Sequence, residues 1–146
     1  GAGGVFLAID ADDFKRINDT HGHLAGDRAL RAIAGVIRDV VDGEGISGRI
    51  GGEEFGVFVE SATLARGEAL AESLRRGVQR LVLRSGENEI ARLSVSIGVA
   101  CSGTRADFSA LMTIADKHLY RAKRRGRNQV STPDSPPEAV HLRTVS

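Results

Sequence analysis

A pair of glycines near the middle of the chain, Gly51-Gly52, separates two runs that read as strands, residues 46–50 and 55–60. Glycine tolerates the positive φ of tight primed turns, so the pair predicts a β-hairpin. A hairpin makes its two strands antiparallel neighbours, so a sheet that contains them cannot be purely parallel.

The other elements are placed around that hairpin. Residues 5–9 are an unbroken apolar run ending at Asp10, which predicts a buried central strand. Phe14 and Ile17 stand at helical spacing and predict a short helix over 14–18, with Gly22 and Gly26 bracketing a turn. Leu30, Ile33, Ala34, Ile37 and Val41 form one stripe of a longer helix over 27–41. A second amphipathic helix is expected over 64–82, with Leu70, Leu74, Val78 and Leu81 inward. Leu93, Val95, Ile97 and Val99 alternate with Ser94, Ser96, Gly98 and Ala100, the period of a strand. Asp107 is expected to cap a last helix carrying Leu111, Ile114, Ala115, His118, Leu119 and Ala122 on one face. Gly126 ends that helix, and Gln129-Val130 form a short edge strand. The expected order is β-α-α-β-β-α-β-α-β, an α+β palm-like mixed sheet with helices packed on it.

Composition sets bounds on this picture. A chain of 146 residues fits one domain, and 41% hydrophobic content supplies one core. Only 4% is aromatic, so the core is aliphatic. The formal net charge of +1 gives no case for a nucleic-acid or membrane surface. One cysteine, Cys101, excludes an internal disulfide framework and suits a reducing cytoplasm. It ends an apolar strand and is expected to be packed rather than reactive. All three prolines (Pro133, Pro136, Pro137) fall near the C-terminus. The expected domain is therefore residues 1–130, followed by a disordered tail over 131–146.

Two acidic clusters carry the chemistry. Asp10, Asp12 and Asp13 stand at the end of the first strand, and Glu53-Glu54 stand beside the glycine pair. If the hairpin lies next to the first strand, Asp10 and Glu53 converge, and converging carboxylates repel unless a hard cation separates them. Mg²⁺ takes few carboxylates and keeps positions for phosphate oxygens. Lys15 lies near this cluster, and Lys123, Arg124, Arg125 and Arg127 crowd the end of the last helix. They either oppose the helix dipole or hold phosphate. No Gly-x4-Gly-Lys loop is present, so a nucleoside triphosphate would be held differently. Asn18 and Asp27 either cap helices or read a base, since a carboxylate accepts two N–H groups from a guanine edge. His21 and His23 lack a third partner nearby, and a turn role is expected for them.

Four segments taken together resemble the GGDEF family of diguanylate cyclases. They are the Asp10-Ala-Asp-Asp-Phe-Lys15 to Asp27 stretch, Arg49-Ile-Gly51-Gly52-Glu53-Glu54-Phe55 in the GGEEF form, Ser94-Val-Ser96-Ile-Gly98, and Ala115-Asp116 through Gly126-Arg127-Asn128. They run in order with natural spacing over residues 5–130. The resemblance implies a ferredoxin-like or nucleotidyl-cyclase-like palm that condenses two GTP into cyclic di-GMP. It implies that Asp10, Glu53 and the Ala11 carbonyl hold Mg²⁺, with Mn²⁺ as a substitute. Glu53 or Glu54 would take the ribose 3′-hydroxyl proton. Asn18 and Asp27 would read guanine. Lys15, Lys123, Arg127 and the backbone at Asp13 and Phe14 would hold phosphates, and Gly51 and Gly52 would let the hairpin approach the nucleotide. Each chain would bind one GTP, so the active enzyme would be a homodimer.

Two departures from the family pattern stand out. Family members usually carry an Arg-x-x-Asp product-inhibition site, and here Asp42 and Gly45 occupy those two positions. The helix and Asp-x-Leu-Thr segment that usually precede the first strand are absent, so a longer protein with an upstream sensory or dimerising region is expected. The main rival is a non-catalytic GTP-binding or interaction module, although such members usually lose signature residues that this chain keeps. A different nucleotidyl cyclase or a polymerase-like palm is a second rival, and Asp27 favours guanine against it.

Overall fold

A computed structural model of the chain describes residues 2–104 and 108–135. Its main sheet has five strands: β1 (Ala2–Ala11), β2 (Ile46–Arg49), β3 (Glu54–Glu60), a long strand Val95–Thr104 and a short one, Val130–Ser131. Between Gln79 and Val95 lies a separate two-stranded hairpin, so in chain order these are β4 (Val82–Ser85), β5 (Asn88–Arg92), β6 (Val95–Thr104) and β7 (Val130–Ser131). The helices are α1 (Phe14–His21), α2 (His23–Val41), α3 (Leu64–Gln79) and α4 (Phe108–Arg124). The sheet order is β2-β3-β1-β6-β7, antiparallel throughout except for the parallel β6–β7 pair. This is the mixed, helix-flanked α+β sheet expected from the central hairpin.

β1 is apolar at successive positions because both of its faces are covered. Val5, Leu7, Ile9 and Ala11 join α2 and α3 in the larger core cluster. Phe6 and Ala8 join Leu111, Ala115 and Leu119 of α4 in a smaller one. β6 divides its faces differently. Val95, Ile97 and Val99 enter the larger core, whereas Ser96, Gly98 and Ala100 lie under α4 with almost no exposure. The small residues of the alternating run therefore face a helix rather than water. A Cβ on Gly98 would stand 2.0 Å from the Ala115 carbonyl oxygen and 2.2 Å from the Leu119 nitrogen, so α4 rests directly on the strand backbone. Buried His118 sits at the same contact, its Nδ1 3.3 Å from Ser131 Oγ of β7.

Several boundaries differ from expectation. α2 begins at His23, not at 27, and α1 runs on to His21. α3 stops at Gln79, with Arg80 at its C-cap, and the β4–β5 hairpin follows with Gly86 at φ 62° in its turn. Leu81 and Leu83 prolong the apolar rhythm of α3, which disguised the change of structure. The boundary placed at residue 130 falls inside β7. Ser131 and Thr132 are both 1% exposed, and Thr132 is wrapped by Asp134 and Ser135. The structure thus runs on past residue 130: Ser131 pairs with Gly98 and Thr132 is buried, whereas Pro133 and Asp134 are exposed. The rest of the expected tail, 136–146, and the cap expected at Asp107 lie outside the described residues.

Because α4 contacts the β6 backbone itself, no side-chain rotation can accommodate a larger residue there. Gly98→Ala is expected to lower unfolding free energy by about 1–3 kcal/mol or more, the cost of overpacking against an unyielding neighbour. Urea denaturation with an unchanged midpoint would contradict this packing.

Candidate active site

The antiparallel register of β1 and β3 puts Asp10 opposite Glu54, with Glu53 at the entrance to β3. The Ala11 nitrogen donates to the Glu53 carbonyl at 3.1 Å, tying the two acidic segments together. The Asp10 side chain is buried, and Lys123 from the last turns of α4 donates to its Oδ2. Its Oδ1 is buried with no hydrogen-bond partner. Burial pushes the Asp10 carboxyl above the usual range, against the pull of Lys123. Glu53 is pushed up by burial and then by the Asp10 charge. Glu54 is pushed up by burial, then by Asp10 and Asp116. Three carboxyls with raised proton affinity beside an unsatisfied buried oxygen form a site short of positive charge. Among the described residues no three acidic, histidine or cysteine side chains converge as a self-contained cage. The donor set instead suits a hard cation that shares its oxygens with a ligand phosphate.

Beside this pair lies a cleft of about 480 Å³, lined by Ala11, Asp12, Asp13, Phe14, Lys15, Arg16, Asp19, Glu53, Lys123 and Arg127. Asp13 is the N-cap of α1 in a left-handed conformation, φ 54°, and its side chain makes no capping bond. The first N–H groups of α1 have no intrahelical partner, as at any helix start, and they suit an anion. On the far wall Gly126, Arg127 and Asn128 all have positive φ (119°, 64° and 47°). For Arg127 that conformation costs roughly 1–2 kcal/mol, and for Asn128, a type that adopts it more readily, less. The Arg127 Nε lies 3.7 Å from Asp13 Oδ1 across the cleft.

Most of the expected site residues therefore meet. Ala11, Asp13, Phe14, Lys15, Glu53, Lys123 and Arg127 share the cleft, with Asp10 joined to Lys123. Asn18 and Asp27 are not among its lining residues, and Asn18 sits at the α1–α2 contact. Asn18 Oδ1 is buried without a partner, and a Cβ on Gly26 would stand 1.8 Å from it. Exposed Asp27 opens a neighbouring groove of about 560 Å³ between α2 and β2, lined also by Leu30, Arg31, Arg38, Arg49 and Phe55. This groove is the larger of the two but holds none of the paired carboxyls.

The glycine pair behaves differently from its expected reason. The loop between β2 and β3 is longer than a two-residue primed turn, and neither Gly51 nor Gly52 has positive φ. A Cβ on either would meet nothing within 4 Å. Nothing inside the fold demands glycine there. Arg49, to which no role was assigned, donates from Nε to the Gly51 and Gly52 carbonyls at 3.2 and 3.1 Å and clamps the loop. Asp12 also has an unforeseen place, accepting bonds from Ser94, Ser96 and Asn128. At the substituted inhibitory positions, Asp42 is the C-cap of α2, and a Cβ on Gly45 would stand 2.3 Å from the Phe58 carbonyl oxygen.

Comparison with known proteins places this geometry. The family model described as "Diguanylate cyclase, GGDEF domain" matches residues 2–129, and the chain belongs to that family. It is 42% identical over 132 residues to the probable diguanylate cyclase DgcF of Escherichia coli, covering 86% of this chain and 41% of that one. It is 41% identical over 124 residues to the diguanylate cyclase DosC of Shigella sonnei, covering 85% of this chain and 27% of that one. The chain thus spans less than half the length of these relatives. The GGDEF domain of DgcB from Caulobacter crescentus, solved in complex with c-di-GMP, superposes with a TM-score of 0.86 at 33% identity, covering 92% of this chain and 78% of that one. The active GGEEF domain of a diguanylate cyclase from Vibrio cholerae gives 0.82 at 29% identity, with coverage of 92% and 85%.

Raised carboxyl pKa values mean that protons compete with any cation for these oxygens. The contribution of each such group is fully present below its unfolded pKa and is lost as pH rises through the higher folded value. A cation restores what deprotonation costs. Stabilisation by excess Mg²⁺ in thermal unfolding is therefore expected to be larger at pH 8 than at pH 5, and to be mostly lost in Asp10→Asn. An equal rise in Tm at both pH values would rule out these carboxyls as the ligands.

Proposed function

We propose that this chain condenses two GTP molecules into cyclic di-GMP with release of pyrophosphate, using Mg²⁺ and two chains facing each other. The observation that carries the reading is the unpartnered, buried Asp10 Oδ1 beside Glu53, next to a cleft walled by Lys15, Lys123 and Arg127. That arrangement suits a divalent cation on one side and a polyphosphate on the other.

Asp10, Glu53 and the Ala11 carbonyl would hold the metal, with Mn²⁺ as a substitute. When bound, Mg²⁺ would offset charge on the reacting phosphate oxygens. Lys15, Lys123, Arg127 and the backbone N–H groups at Asp13 and Phe14 hold the triphosphate. Asp27 accepts the guanine N1–H and N2–H, and Asn18 supplies its unpartnered oxygen. Gly51 and Gly52 leave open space for the nucleotide where side chains would otherwise stand.

One cleft takes one GTP, and the product contains two nucleotides. The 3′-oxygen of one GTP attacks the α-phosphorus of the GTP held by the partner chain. The bond from that phosphorus to the β-bridging oxygen breaks and pyrophosphate leaves. The hydroxyl proton passes to Glu53 or Glu54, whose proton affinity burial and Asp10 have raised. The reciprocal attack closes the ring. A homodimer is the catalytic unit, and an upstream sensory or dimerising region of a longer cytoplasmic protein would bring the copies together. The solved relatives include a coiled coil with the GGDEF domain of DgcB and the cyclase SiaD with its activator SiaC.

The direct test incubates the chain with GTP and Mg²⁺ and follows cyclic di-GMP by chromatography. Glu53→Gln is expected to cut turnover roughly 10²–10⁴-fold while leaving the unfolding midpoint close to the parent value. GTP bound by the parent chain with no product formed would make it a binding module instead.

Base choice is tested separately. The parent is expected to prefer GTP over ATP, because adenine has no donors to offer Asp27. Asp27→Ala should shrink that preference on the order of 10²-fold, the scale of two hydrogen bonds to a charged acceptor. Equal use of both nucleotides by the parent would refute the guanine assignment.

A further inference from the structure

We infer that Asp12 is a positioning residue whose buried carboxylate holds the left-handed turn that presents Arg127 to the triphosphate. The inference rests on the reading that Arg127 binds a phosphate.

Asp12 lies between two residues assigned to the site and lines the cleft, yet its carboxylate is engaged by protein donors. It is only 6% exposed. Its Oδ1 accepts from Ser96 Oγ at 2.6 Å. Its Oδ2 accepts from Ser94 Oγ at 2.7 Å and from the Asn128 nitrogen at 2.9 Å. Its own nitrogen donates to the Ser94 carbonyl at 3.0 Å. The carboxylate therefore joins the end of β1, the start of β6 and the turn after α4. Three donors from the protein thus hold both oxygens of a carboxylate that is almost wholly buried.

The turn it holds does not hold itself. Gly126, Arg127 and Asn128 are three successive residues at positive φ, and Arg127, unlike glycine and asparagine, is of a type that seldom adopts it. Such a conformation persists only where surrounding contacts impose it. Asn128 is gripped twice, by Asp12 at its nitrogen and by Arg75 of α3, whose Nη1 donates to Asn128 Oδ1 at 3.0 Å. Arg127 lies between the glycine and this anchored asparagine and lines the cleft opposite the N-terminus of α1. Releasing Asn128 lets the turn relax, and the guanidinium leaves its place across from Asp13. Asp12 thus acts on the substrate through Arg127 rather than by contact.

A double-mutant cycle separates this from general stability. The parent, Asp12→Asn, Arg127→Ala and the double variant are titrated calorimetrically with 3′-deoxy-GTP and Mg²⁺, the absent hydroxyl preventing turnover. Asparagine keeps the shape of the side chain and loses its charge. Each single variant is expected to weaken binding about tenfold, and the double variant no more than Arg127→Ala alone. Additive losses would overturn the inference, because a residue that only stabilises the fold does not couple to Arg127. Parent-like binding by Asp12→Asn beside a weakened Arg127→Ala would also overturn it, and would leave the phosphate role of Arg127 intact. Parent-like binding by Arg127→Ala would refute that role itself. If Asp12→Asn does not fold, Ser94→Ala with Ser96→Ala removes two of the donors and enters the same cycle with the same outcomes.

Discussion

The antiparallel pairing of β1 with β3 is the constraint on which the rest of the site depends. It sets Asp10 against Glu54 and draws Glu53 near enough to feel the Asp10 charge. Left alone, that contact is unfavourable, because partial burial raises the cost of each charge and each charge raises the cost of the next. The compensation in the chain itself is Lys123, which reaches Asp10 from the far end of the sequence. Lys123 arrives there only because α4 lies directly on the Gly98 backbone, close to the end of β1. Core packing and site electrostatics are thus the same problem. The helix that closes the second face of the sheet also delivers the counter-charge to its acidic end.

The cleft beside that pair is built from chain ends rather than from chain middles. The N-terminus of α1, the entrance to β3 and the turn after α4 each contribute one wall. Their conformations are uncommon ones: Asp13, Arg127 and Asn128 all have positive φ, which aspartate and asparagine tolerate and arginine seldom adopts. The strain is confined to the rim of the site, while β1, β6 and the helices beneath it are regular and buried. A rigid sheet with strained edges fixes groups more closely than flexible loops would.

How much of this could be read beforehand varied with the distance over which each feature is determined. The apolar run of β1, the stripe of α2 and the alternation of β6 are local patterns, and each appears where expected. The meeting of Asp10 and Glu53 was legible because a hairpin beside a strand is a short inference. The β4–β5 hairpin was not, since Leu81 and Leu83 extend the apolar rhythm of α3 and the turn glycine, Gly86, is one residue among many polar ones. Asp12 was legible as an acid but not as a buried one. Its partners Ser94, Ser96 and Asn128 are 82, 84 and 116 residues away, and only the fold brings them together. Gly51 and Gly52 were placed correctly for a reason the backbone does not share, because their φ values are ordinary and the space around them is open.

The close approach of Gly45 to β3 bears on how this domain can change over time. In the family pattern that position carries an aspartate, and here even a methyl group would run into the Phe58 carbonyl. A single substitution therefore cannot place an acid there: the neighbouring strand would have to move with it, and that strand also carries Glu54 toward Asp10. The backbone at Gly45, and not only its missing side chain, thus keeps that pattern out, and any change that admitted it would be felt at the acidic end of β1.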